Sequence, residues 1–152
     1  MLLLMVKWVH VLAAITAVGA NITYGIWMRR AAREPQQLAF VLNGIRAIDR
    51  RLANPSYGVL LLTGLIMAYL LPLPLNTPWL LTAIVLYVLA AFLGAFAYAP
   101  TMREQRKQLT AAGFESGAFK AASRRAAWLG LLVTLDVIAI VFLMVVKPAL
   151  WG

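Results

Sequence analysis

Apolar residues run almost unbroken through four stretches of the chain, roughly Leu2 to Met28, Pro55 to Leu71, Pro78 to Ala99 and Ala126 to Val146. A helix rises ~1.5 Å per residue, so about 20 such residues cross a hydrocarbon layer ~30 Å thick. The pattern predicts an all-α protein built as a bundle of four transmembrane helices, a single integral membrane domain over residues 1–152. The second stretch is the shortest and needs the turn before Pro55 or a locally thinned bilayer. The first is expected to be a retained helix and not a signal peptide. It runs for about 25 residues against the roughly 7 to 15 of a signal h-region, and it ends on Met28-Arg29-Arg30 without a small-residue cleavage site.

One face of the first helix differs from the rest. Lys7, His10, Ala14, Ala17, Asn21 and Tyr24 recur at spacings of three and four, which places them together on a polar and small-residue face. Small residues also mark the other spans: Gly58, Gly64 and Ala68 in the second, Ala90, Ala91, Gly94 and Ala97 in the third. Such positions let helices approach closely where lipid supplies no hydrophobic drive. Trp8, Trp27, Trp79, Trp128 and Trp151 fall near the predicted span ends, as an interfacial belt requires.

The connections carry patterns of their own. After Pro35, the residues Leu38, Val41, Leu42, Ile45, Ile48 and Leu52 repeat every three to four positions. This predicts an amphipathic helix on the membrane surface or an inner extension of the second span, with Asn54-Pro55 marking a kink or a fresh start. The second long connection, Arg103 to Arg125, contains Gly113 and Gly117 and reads as two short helical pieces. Pro72, Pro74 and Pro78 punctuate the short turn between the second and third spans. Tyr24-x3-Met28-Arg29 and Tyr98-x3-Met102-Arg103 form a faint internal repeat, which would be a parallel duplication about an axis along the membrane normal.

Composition sharpens this picture. The chain is 63% hydrophobic and 12% charged, with a mean hydropathy of +0.84, outside the range of soluble domains. It has no cysteine, which excludes disulfides, thiolate metal sites and cysteine-held iron–sulfur clusters within the chain. The formal net charge of +9 resembles a nucleic-acid signature until the charges are placed. Arg29, Arg30, Arg33, Arg46, Arg50 and Arg51 fall in one connection, Arg103, Arg106, Lys107, Lys120, Arg124 and Arg125 in the other, and none in Pro72 to Thr77. That asymmetry puts the two basic loops, with their short helices, in the cytoplasm and both termini outside. The expected partners are the bilayer itself, anionic lipids at the basic loops, and a second copy or a larger membrane assembly. Nucleic acid is not among them.

Two residues are expensive where they stand. His10, the lone histidine, and Asp136, near the middle of the last span, each cost at least ~2.5 kcal/mol in a helix centre if unpartnered. Counting inward from the basic ends sets Asp136 level with about residue 18, within reach of Asn21 or Thr16. The same count sets His10 level with about Met144, leaving ~12 Å along the normal between His10 and Asp136 at ~1.5 Å per residue. Lys147 lies almost three turns beyond Asp136 on nearly the same face. Three readings stay open: His10 as an axial haem ligand opposite Met144 or a lysine; a proton or ion path through His10, Asp136, Asn21 and Tyr24; or polar residues that only hold helices together in a scaffold or accessory subunit.

Three motifs carry a resemblance over essentially the whole chain: Lys7-Trp8-Val9-His10; Arg50-Arg51-Leu52-Ala53-Asn54-Pro55 with Leu62-Thr63-Gly64; and Met144-Val145-Val146-Lys147-Pro148. Together they resemble an uncharacterised bacterial family of predicted integral membrane proteins. More distantly they are similar to the four-helix J-type protoporphyrinogen oxidases and the copper-resistance D proteins, which share the Lys-x2-His start. That resemblance implies a bacterial cytoplasmic (inner) membrane, haem b held by His10, and Lys7 and Lys147 as propionate or substrate partners. The J-type pattern also places a carboxylate at the start of the last helix and basic or histidine residues at the start of the third. This chain has Trp128 to Leu131 and Trp79 to Thr82 there, so porphyrinogen oxidation is not implied.

Overall fold

A computed structural model describes residues 1–150; Trp151, expected in the aromatic belt, lies outside the described residues. Four long helices make up the fold: α1 Leu2–Ala31, α2 Leu38–Leu70, α3 Pro78–Ala112 and α4 Gly117–Val146. All four are long and apolar enough to cross a membrane, and the described residues contain no strand. A helical turn, Pro35–Gln37, leads into α2. The chain passes up and down, so both termini and the turn between α2 and α3 share one end, and twelve of the fourteen cationic side chains share the other, the basic end.

The basic connections are helical, but as continuations of the spans. α2 runs through Leu38–Ile48, a π-helical turn at Asp49–Ala53 and Asn54–Leu70 without a break. α3 likewise runs through Pro78–Phe92, a π-helical turn at Leu93–Tyr98 and Ala99–Ala112. Each π turn lies immediately before a proline, Pro55 or Pro100. A proline inside a helix lacks its N–H and pushes against the carbonyl four residues back. Widening the preceding turn accommodates the ring without ending the helix. For that reason the helix makes no fresh start at Asn54-Pro55, and the expected pair of short helices in the second connection becomes the ends of α3 and α4. Residues 113–116 separate them, a turn that opens on Gly113 with φ +79. Ser116 then starts α4, its hydroxyl accepting from the Phe119 amide at 3.2 Å, an N-cap of the usual kind.

α1 packs between α2 and α4, and α3 packs on α4, whereas α2 and α3 touch little although they are adjacent in sequence. Spacing along α1 shows why it is central: Ala13, Ala17, Ala20, Tyr24 and Ala31 are its buried positions, and the four alanines let two neighbours approach. About 29 Å of helix separates Trp8 from Trp27, and a similar length separates Trp128 from Lys147, at ~1.5 Å per residue. These pairs bracket one hydrocarbon thickness. Trp79 stands level with Lys147, whose Nζ lies 5.3 Å from its ring centroid, a cation–π contact.

The tightest apolar packing lies at the basic end and not between the tryptophan girdles. Tyr24, Ala31, Leu38, Val41, Leu42, Ile45, Ala53 and Phe119 form one buried cluster, covered by Met28, Met102, Leu109 and Phe114. Leu38 and Leu42 are each 1% exposed, whereas Leu62, within the span of α2, is 62% exposed. Leu42→Ala should lower the stability of the detergent-purified protein by about 2–5 kcal/mol. Leu62→Ala should change it by less than about 0.5 kcal/mol. Thermal unfolding of both variants checks the contrast; equal effects would place the core elsewhere.

Candidate functional site

Two groups of polar side chains sit inside the bundle at different depths. The first is near the end that carries the termini, where the inner face of α1 meets α2 at Gly64. A β-carbon at Gly64 would meet the His10 ring at 3.5 Å from Cε1, so the ring rests directly on the α2 backbone. His10 Nδ1 lies 2.7 Å from Thr63 Oγ1, and Thr63 itself donates to the Val59 carbonyl at 2.6 Å. With its proton committed to Val59, the Thr63 oxygen accepts from His10 Nδ1–H. By this assignment of the tautomer, Nε2 keeps its lone pair. The bond to Thr63 fixes the orientation of the imidazole ring.

Lys7, Lys147 and Met144 are the other residues expected around His10. Lys7 is exposed. Lys147, just beyond α4 in a left-handed conformation, lies over Trp79. Met144 is half-buried on α4, while the polar partner of His10 comes from α2. Thr63 carried a readable signal, being the one hydroxyl in the apolar run Val59 to Met67, but its pairing across helices needed the register of α1 against α2.

The second group lies deeper, toward the basic end. Asn21 donates one amide hydrogen to the Ala17 carbonyl at 2.9 Å and another to the Tyr57 hydroxyl at 2.5 Å. The Tyr87 hydroxyl donates to the Tyr57 carbonyl at 2.8 Å, the polar link between α2 and α3. Asp136 is close enough to Tyr57 for its charge to be felt at the phenol, yet its Oδ2 is buried without a hydrogen-bond partner. The expected bond from Asp136 to Asn21 or Thr16 is replaced by these contacts: Asn21 turns to Tyr57, and Thr16 donates to the Leu12 carbonyl of its own helix at 2.9 Å. Asp49, on the π turn of α2, faces Tyr24, Tyr57 and Tyr98 electrostatically and accepts from Asn54 at 3.4 Å. The Tyr24 hydroxyl is buried and unpartnered.

Asn21 and Tyr57 are thus joined by a hydrogen bond, and Asp49, Tyr24, Tyr98 and Asp136 are the further polar groups of the column between the basic end and mid-bundle, with the Tyr24 hydroxyl and Asp136 Oδ2 unpartnered. Sequence pattern singled out Asn21, Tyr24 and Asp136 and missed Asp49 and the other tyrosines. Asp49 was hidden because it interrupts an amphipathic repeat at a position that reads as solvent-facing. Among the described residues, no three His, Cys, Asp or Glu side chains converge as a metal site.

Helices of this length and hydropathy, with ionisable groups turned inward, define a multi-pass integral membrane protein. The model of a family described as predicted integral membrane protein (DUF2269) matches residues 4–148, and the chain belongs to that family. No curated protein and no solved structure matches it.

Proposed function

We propose that this is a small haem-b-binding protein of a bacterial cytoplasmic membrane, with His10 as an axial ligand. The observation that supports it is the fixed His10 ring, held through Nδ1 by Thr63 with Nε2 left as a donor to a metal. Haem would supply one-electron transfer there; the protein supplies a neutral imidazole, its orientation and an apolar surround. One histidine per chain leaves Met144 or the histidine of a second copy as the opposite ligand. Lys7, one turn outward of His10, and Lys147 are the cations nearest that end, suited to carboxylates at the membrane surface. Detergent-purified protein should show a Soret band that His10→Ala abolishes, and Thr63→Val should weaken haem retention by about 10- to 100-fold. A preparation that stays colourless after incubation with haemin overturns the reading, and a haem content that tracks dimer content selects the two-histidine form.

A second reading, proton movement along the deeper column, is favoured by two of the three orphaned buried groups, Tyr24 hydroxyl and Asp136 Oδ2. Buried polar atoms without partners are unfavourable by about 1–3 kcal/mol each, and intramembrane carboxylates are the usual relay groups. In proteoliposomes with an imposed pH gradient, Asp136→Asn and Tyr57→Phe should both slow proton flux several-fold. Flux unchanged by either leaves the column a structural device that holds α1, α2 and α4 together.

The charge asymmetry favours both termini outside and the basic end in the cytoplasm. Because the chain has no cysteine, Leu75→Cys and Arg33→Cys report orientation cleanly. An impermeant maleimide should label the first in intact cells and the second only after permeabilisation; the reverse pattern inverts the topology.

A further inference from the structure

A cavity of about 210 Å³ opens beside the apolar cluster at the basic end, where the end of α1 meets the starts of α2 and α4. Met28, Ala32, Leu38, Phe114 and Phe119 supply its apolar wall. Leu38 and Phe119 are almost fully buried, whereas Ala32 is exposed, so the cavity runs from the core to the surface. The rings of Phe114 and Phe119 lie 5.4 Å apart between centroids, tilted by 44°. An apolar cavity of ~150 Å³ takes up benzene; this one has room for a ring or a short alkyl chain.

Two polar side chains of α4, Ser123 and Lys120, interrupt the apolar lining. They are three residues apart and therefore share a helix face. Ser123 Oγ accepts from Gln105 Nε2 of α3 at 2.9 Å. Gln105 is 0% exposed and its Oε1 is buried without a partner, so a fully buried amide holds the serine oxygen in place from behind. With the amide in this orientation, the serine hydroxyl hydrogen is left over. Other hydroxyls of these helices turn that hydrogen to the carbonyl one turn back, as Thr16, Thr101 and Thr134 do. Among the described residues, Ser123 meets no acceptor. Lys120 holds Glu115 at 2.7 Å, but the two side chains are 56% and 81% exposed, a pair that water weakens and that leaves the ammonium two further hydrogens. The cavity thus presents one hydroxyl donor and one cation above an apolar wall, and no acidic side chain lines it.

We propose that this cavity binds a small monocarboxylate with an apolar body, its carboxylate held by the Ser123 hydroxyl and the Lys120 ammonium and its hydrocarbon laid against Leu38, Phe114 and Phe119. Two donors, one of them charged, match the two oxygens of a singly charged carboxylate, and the volume excludes the paired chains of a phospholipid. Met28 follows Trp27, and Ser123 stands five residues before Trp128, ~8 Å beyond that girdle residue at ~1.5 Å per residue. At this depth the ligand can enter from the leaflet, as a fatty acid, or from water, as an aromatic acid. The site is independent of the haem and proton readings.

The test follows the unfolding midpoint of the full-length protein in a neutral detergent as octanoate, phenylacetate or octanol is added. At least one of the two carboxylates should raise the midpoint of the wild-type protein. A rise with octanoate alone selects a fatty acid of the leaflet, and a rise with phenylacetate alone selects a water-borne aromatic acid. Ala32→Phe, which fills the cavity from its exposed rim, should abolish the rise. Lys120→Gln should need about tenfold more carboxylate for half the shift, the loss expected of a charge-assisted bond. Lys107→Gln, exposed on α3 and removing the same charge, should respond like wild type, and gel filtration of all the variants checks that they are folded. No rise with either acid, or a rise that Ala32→Phe leaves intact, overturns the site. An equal rise with octanol overturns the carboxylate assignment, as do equal responses of Lys120→Gln and Lys107→Gln.

Discussion

Apolar burial stabilises a fold only where the alternative is water, and in this molecule water is the alternative at the two ends alone. The consequence is visible in where side chains are hidden. Leu38, Leu42, Ile45 and Phe119, outside the girdle of Trp27 and Trp128, are almost fully buried. Leu61, Leu62, Leu65 and Ile66 within the span of α2 remain exposed, since lipid tails solvate them as well as protein would. The extensions of α2, α3 and α4 beyond the membrane thus supply a small water-driven core that gathers the basic ends of all four helices. Without it, the bundle would rest on alanine contacts and a few hydrogen bonds in the hydrocarbon.

Those hydrogen bonds do a different task from the core. Contacts between polar side chains across membrane helices average only ~0.6 kcal/mol, with ~1.7 kcal/mol an upper figure, so Asn21 to Tyr57 or His10 to Thr63 contributes little to total stability. What each fixes is register. His10 bonded to Thr63, with Gly64 against its ring, and Asn21 bonded to Tyr57 together leave α1 and α2 one relative position. The two internal prolines matter in the same way. Their π turns shift the phase of α2 and α3 where Asp49 and Tyr98 lie, and these two side chains consequently come near Tyr24.

The four spans were legible in the sequence because a membrane imposes a length and a hydropathy that few other structures share. The small-residue face of α1 was legible for a similar reason: helical spacing puts Ala17 and Tyr24 together whatever their neighbours are. Lys7 shares that spacing and is nonetheless exposed, because at a helix end a long charged side chain finds headgroups and water within reach. Continuity through Pro55 and Pro100 was not legible, since proline ordinarily marks a boundary and the widened turn that tolerates it has no sequence signature. Partners such as Thr63 and Tyr57 depend on how two helices slide against each other, a quantity set by all their contacts together.

The depth of the two polar groups bears on how their roles combine. His10 and Asn21 lie on one helix, about 16 Å apart at ~1.5 Å per residue, and the buried residues of α1 between them are Ala13, Ala17 and Ala20. Alanine methyl groups offer a proton no place to rest. Thr63 directs its own proton into the α2 backbone at Val59, not along α1. The histidine end and the tyrosine column are two separate polar groups in one bundle, and the alanines that let α1 pack closely are also what lies between them.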